Sequence, residues 1–125
     1  MMNTKIEYMY RDAGNHKAYR EIVLTGVLTA SELTEVKNKC AWCDGDPKFI
    51  ASEVGLPSPQ RDMNKYGFPT EDDHVWCELL SIDLTKEPAT KDVTLTAEQL
   101  RAAFAKAKWN VAAAMKELGW DPMTL

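Results

Sequence analysis

Apolar and polar residues alternate between Lys5 and Arg11. Ile6, Tyr8 and Tyr10 share one face, and Glu7, Met9 and Arg11 share the other. Period two with aromatic residues specifies a half-buried strand, because successive side chains of a strand point to opposite faces. The turn residues Asp12-Ala-Gly-Asn-His16 follow, and Tyr19 to Leu28 is rich in β-branched and aliphatic residues. This predicts a hairpin with strands over residues 5–11 and 18–28.

A helix is announced at Thr29-Ala-Ser-Glu32. That spacing is a capping box, in which the Thr29 hydroxyl and the Glu32 carboxylate each take a backbone amide of the first turn. Leu33, Val36 and Cys40 continue at helical spacing, so a helix over 30–42 is expected, stopped by Asp44-Gly-Asp-Pro47. Residues 49–69 carry two glycines and three prolines and read as a covering loop with one helical turn. Val75 to Leu84 reads as the third strand, with Trp76, Leu80, Ile82 and Leu84 on one parity.

Lys86-Glu-Pro-Ala-Thr-Lys-Asp92 is polar and contains proline, as linkers do. Thr96-Ala-Glu-Gln99 is a second capping signal. Leu100, Ala103, Phe104 and Ala107 form an apolar stripe, so helices are expected over 97–108 and 111–118. Asp121-Pro122 reads as the start of a third. Leu100, Phe104, Trp109 and Leu118 are the anchors expected to dock this tail. The expected architecture is α+β: a small antiparallel sheet with one packed helix over residues 1–85, a linker over 86–92, and a C-terminal helical hairpin over 93–125.

The chemistry-bearing residues are sparse. The chain of 125 residues has three cysteines and two histidines. Cys40-Ala-Trp-Cys43 is followed, thirty residues on, by His74-Val-Trp-Cys77. Zinc takes four thiolate or imidazole ligands in a tetrahedron, so Cys40, Cys43, His74 and Cys77 are candidate zinc ligands. Two features oppose this. Residues three apart on a regular strand point to opposite faces, which separates His74 from Cys77. Cys40 also extends the apolar face of the first helix, where a free cysteine serves as core. A thioredoxin-like redox motif is not expected, since no strand precedes the Cys-x-x-Cys. His16 reads as a solvated turn histidine, and Glu71, Asp72 and Asp73 as a solvated acidic run. No phosphate loop, nucleophile elbow or His-Glu-x-x-His occurs, so a non-enzymatic protein is expected.

The net charge of −4 lacks the broad basic field of a non-specific DNA binder. No apolar run approaches the roughly 20 residues of a membrane span, and the N-terminus has no apolar signal segment. A cytoplasmic setting is expected, with thiols reduced.

Residues 100–125 resemble the helix-turn-helix of the Fis type, found at the C-termini of many bacterial regulators. The matching features are Leu100, Trp109-Asn110, Ala113, Leu118-Gly119 and Thr124-Leu125. The resemblance implies a DNA-associated regulator. In that family the basic reading residues follow the Thr-Leu pair, so here the candidate phosphate contacts are Arg101, Lys106, Lys108 and Lys116. Residues 5–80 are similar to a group of small uncharacterised bacterial proteins. They share Tyr10-Arg-Asp-Ala-Gly-Asn-His-Lys17, Phe49-Ile50 with Val54-Gly-Leu-Pro57, and Asp72-Asp-His-Val-Trp76.

The leading expectation is an interaction or regulatory protein of the bacterial or phage cytoplasm. Its protein partner would meet a surface built from the 44–74 loop with Tyr8, Tyr10, Trp42 and Trp76, because aromatic side chains beside loops make binding hot spots. A homodimer through the helical tail is a further expectation.

Overall fold

A computed structural model describes residues 2–43, 45–66 and 73–119, and for residues 43 and 64–66 the backbone alone. The expected third tail helix at Asp121-Pro122, the Thr124-Leu125 pair and the acidic residues Glu71 and Asp72 lie outside the described residues.

The fold is α+β. Five antiparallel strands, β1 (Asn3–Arg11), β2 (Lys17–Leu24), β3 (Ala41–Cys43), β4 (Asp46–Phe49) and β5 (Cys77–Thr85), form one sheet in the order β2-β1-β5-β4-β3. Ile6, Tyr8 and Tyr10 are fully buried, as the alternation of β1 requires. Among the described residues the helices are α1 (Ala30–Lys39) and, in the tail, α2 (Ala97–Lys106) and α3 (Val111–Glu117), with 3-10 turns at Ala51–Val54 and Pro59–Tyr66. Both capping boxes form as expected, Thr29 with Glu32 and Thr96 with Gln99.

Three differences from the sequence expectation have physical causes. First, α1 stops at Lys39, and Cys40 is already extended (φ −60°, ψ 148°). Residues 41 and 42, expected in the helix, instead belong with Cys43 to β3 of a tight hairpin with β4, with Trp42 opposite Pro47 and Cys43 opposite Asp46. Gly45 at φ +84° supplies the left-handed residue that such a turn needs. Second, β5 carries a bulge opposite Glu7 and Tyr8: Ser81 pairs with Glu7 and Leu79 with Tyr8, leaving Leu80 over. One extra residue flips the parity. Cys77 and Leu79 before the bulge and Ile82 after it therefore face the core, and the extra residue Leu80 is exposed; Leu84 shares the face of Ile82 and is exposed near the strand end. Third, β2 ends at Leu24, and Thr25 forms an isolated parallel bridge with Thr96.

The segment read as a linker lies against the sheet. The Thr90 amide donates to the Val23 carbonyl at 2.9 Å, the Asn3 side chain donates to the Glu87 carbonyl, and Lys5 pairs with Glu87. Part of the β2 edge is thereby covered. Leu100 and Phe104 of α2 belong to the same buried cluster as Ile6, Tyr8, Phe49 and Ile82. Each such side chain contributes about 1.5–3 kcal/mol when fully buried. Helix α3 packs on a smaller cluster, in which Ala114 and Leu118 meet Ile50 and Val75, with Trp76, Trp109 and Met115 at its margin. The Val75-Trp76 stretch thus receives the end of the tail.

Candidate functional site

The abrupt end of α1 places Trp42 on an edge strand. Strand β3 is three residues long, it pairs only with β4, and its other side meets no strand among the described residues. Trp42 is 59% exposed there. Lysines flank the strand in sequence and pairing: Lys37 and Lys39 occupy the last turn of α1, which leads into β3, and Lys48 is the cross-strand partner of Ala41, on the face of Ala41 rather than that of Trp42. None of the three forms an ion pair among the described residues, whereas Arg101, Arg61, Arg20, Arg11 and Lys5 all do. Beside this edge a cavity of about 230 Å³ is lined by Ala41, Lys48, His74 and Trp76. A second, more polar hollow shares Lys48 and His74 and adds Arg11, Asp46 and Glu78.

His74 is fixed by both ring nitrogens. Nε2 lies 2.8 Å from the Arg11 carbonyl oxygen, and the Trp76 amide donates to Nδ1 at 3.1 Å. A carbonyl accepts only from N–H and an amide donates only to a lone pair, so the ring is the neutral tautomer protonated at Nε2. Burial also lowers its pKa, against the raising influence of the Arg11 carbonyl. Tyr10 packs on the ring at 4.9 Å, accepts from the His74 amide, and donates its hydroxyl proton to Asp73. His74 is thus a neutral cavity wall with no ring nitrogen left over for a metal.

The other candidate zinc ligands are not gathered around it. The Cys40 thiol sits 3.7 Å from the Val36 carbonyl, and the Cys77 thiol 3.8 Å from Gln60 Oε1; both belong to the main core. Cys77 takes the inward face of β5, while His74 precedes the strand and lines the hollows with Lys48. Burial pushes each thiol pKa up to about 12. The Cys43 side chain lies outside the described residues, and among these no group of three or more His, Cys, Asp and Glu is placed to hold a metal ion.

Of the four aromatic residues expected at a partner surface, two are core. Tyr8 is fully buried, donates to the Pro57 carbonyl at 2.6 Å and meets Phe49 edge-on at 5.3 Å. Tyr10 is equally buried. An alternating strand puts its aromatic residues on the core face, which rules both out as surface anchors. Trp76 is half-buried against Trp109, with centroids 6.3 Å apart. Trp42 is the exposed member of the set.

The four basic tail residues also divide. Arg101 is enclosed by Glu32, Glu35 and Glu98 at 3.0, 3.1 and 2.5 Å, which ties α2 to α1 and occupies the guanidinium. Lys106, Lys108 and Lys116 are exposed, and the first two line an open groove with Ser52, Asn110 and Glu117. Glu53 lies in that groove, where its carboxylate accepts from the amides of Lys108, Trp109 and Asn110 at 2.6, 3.0 and 2.8 Å. An acidic group at the head of α3 opposes a phosphate there. Among the described residues no helix is long and apolar enough to cross a membrane.

Sequence reasoning did not single out Ala41, Lys48 or Glu53. For the first two a signal existed, because Asp44-Gly45 between two short apolar-containing runs marks a hairpin. Glu53 had none, since its partners lie 55 to 57 residues away. Comparison with family models, with curated proteins and with solved structures gave no match.

Proposed function

We propose that this chain is a non-enzymatic interaction protein that captures an extended segment of an acidic protein partner along the free side of β3. The observation that carries this is Trp42, 59% exposed on an edge strand that, among the described residues, pairs on one side only. A strand edge offers a row of backbone donors and acceptors, and partners add a strand to such edges. A tryptophan beside it supplies apolar area with few rotatable bonds, the usual anchor of an interface. Lys37, Lys39 and Lys48 set the sign of the partner. In a chain of net charge −4 these three lysines outnumber the neighbouring Asp46, Glu78 across from Lys48 being paired with Arg11, and this local excess attracts acidic residues.

The test is site-specific photocrosslinking in the producing cell, with benzoylphenylalanine at position 42 and, as control, at position 19. Tyr19 is equally exposed, at 61%, and sits on the strand at the far edge of the sheet. A discrete adduct with an acidic protein from position 42 and none from position 19 supports the proposal. Equal adducts from both positions, or adducts only with a second copy of the chain, contradict it.

DNA association through the tail is the weaker reading. Arg101 is occupied by three carboxylates, and Glu53 lies in the groove of Lys106 and Lys108.

A further inference from the structure

We infer that the cavity between Ala41, Lys48, His74 and Trp76 is a specificity pocket. It takes one apolar side chain, preferably aromatic, from an acidic segment that is paired to β3. This rests on the edge-binding proposal above and adds what the partner must contain.

The cavity has about 230 Å³, below the roughly 300 Å³ at which small-molecule sites begin. That is room for a single side chain. Its position suits one delivered by an added strand. Ala41 belongs to β3 and lines the cavity, so a segment lying alongside β3 passes its opening. In an extended segment every second side chain points to the same face, so one residue can enter while its neighbours stay outside. Alanine is the smallest residue of β3, and a bulky side chain there would close the way in.

The walls determine what enters. Trp76 presents an indole, and His74 presents a neutral ring whose two nitrogens are already bonded to Arg11 and Trp76. His74 has no spare ring nitrogen, and the lining otherwise offers donors alone, the Trp76 indole N–H and the Lys48 ammonium, so a side chain that must itself donate would lose its water without replacement. An aromatic ring loses nothing and gains edge or face contacts with both walls. The one charge on the lining is Lys48, without an ion pair among the described residues. It sits where an acidic neighbour of the anchor residue would lie, and with Lys37 and Lys39 it favours a segment in which the anchor is flanked by carboxylates.

The experiment measures fluorescence anisotropy of labelled peptides built from threonine and glutamate with one varied central residue, added to the full chain at low salt. The expected result is that a central phenylalanine binds at least about tenfold more tightly than a central alanine. Ala41→Phe, which fills the mouth, should erase that preference. The comparison between peptides on the unaltered chain needs no variant to fold. Equal binding of both peptides, lost in Trp42→Ala, overturns the pocket and leaves the edge proposal standing. No binding by any acidic peptide overturns both. Tighter binding of single-stranded DNA than of any peptide also overturns both, because the lysines and Trp42 would then serve a nucleic acid.

Discussion

Glu53 holds Trp109 in a conformation that tryptophan rarely adopts. Trp109 has φ +54°, and its amide donates to Glu53 Oε1 at 3.0 Å. The flanking amides of Lys108 and Asn110 donate to the same carboxylate, and the Trp109 indole donates to the Lys39 carbonyl at 3.1 Å. A left-handed non-glycine residue costs of order 1–3 kcal/mol and persists only where its surroundings over-determine it. The α2–α3 junction is therefore clamped from the 3-10 turn and from the end of α1 together.

Removing the clamp should release α3 first. Glu53→Ala leaves three amides at the junction without their acceptor. It is expected to cost about 2 kcal/mol, since hydrogen bonds to charged groups contribute about 1.5–3 kcal/mol each and this site is partly open to water. Native-state hydrogen exchange is expected to show residues 111–117 opening before the sheet. Simultaneous loss of protection in α3 and β1 would show that the junction is not a separate unit.

His74 should make stability depend on pH below neutrality. Burial lowers its folded pKa from the ordinary value of 6.5. The unfolded chain therefore takes up a proton at higher pH than the folded one. The stabilisation is complete above the unfolded value and is lost as pH falls through it toward the folded pKa. Protonation at Nδ1 would also set an N–H against the Trp76 amide. Urea melts of the wild type and of His74→Gln at about pH 7.5 and pH 5.5 check this. The variant is expected to lose the histidine component of the pH dependence, and an identical dependence in both proteins would remove His74 as its source.

Cys40 and Cys77 should resist thiol reagents in the native protein. Both are buried, with thiol pKa values near 12. Alkylation at about pH 8 is expected to reach them only at the rate of unfolding, because the thiolate is the nucleophile. Fast modification of either residue, read by peptide mass spectrometry, would contradict their place in the core.

Arg101 should behave as a strut between helices. Arg101→Ala removes the cation shared by Glu32, Glu35 and Glu98. Such exposed pairs are individually worth up to about 1 kcal/mol and are screened by salt. The expected loss of stability is small at low salt and smaller still at high salt. A gel mobility shift on generic DNA that disappears in Arg101→Ala but not in Lys106→Ala/Lys108→Ala would assign Arg101 to phosphate contact instead.

Much of the frame was legible in the residues. The alternation of Ile6, Tyr8 and Tyr10 carries β1, and two capping boxes carry the starts of α1 and α2, because each is a local rule satisfied by neighbours in sequence. The errors arose where a local pattern had two solutions. Cys40 at helical spacing extends the α1 pattern into what is strand β3, and Asp44-Gly-Asp-Pro47 fits a helix stop as well as a chain reversal, of which Gly45 at φ +84° is the described part. The parity of β5 was misassigned because the bulge at Leu80 is set by pairing with β1, which no single segment records. Tyr8 and Tyr10 were offered both as core-facing and as surface anchors, and alternation alone decides for the core. The Glu53 clamp and the cavity at Ala41 depend on residues brought together from distant segments, so nothing local announces them.

The most direct test of the central claim is to map where an acidic, phenylalanine-centred peptide touches the protein, by amide chemical shifts and hydrogen exchange on isotope-labelled chain. The expected result is that the amides of Ala41–Cys43 shift and become protected, together with the indole signals of Trp42 and Trp76, while α3 is unchanged. Shifts centred on Lys106, Lys108 and the head of α3, with β3 unaffected, would contradict it.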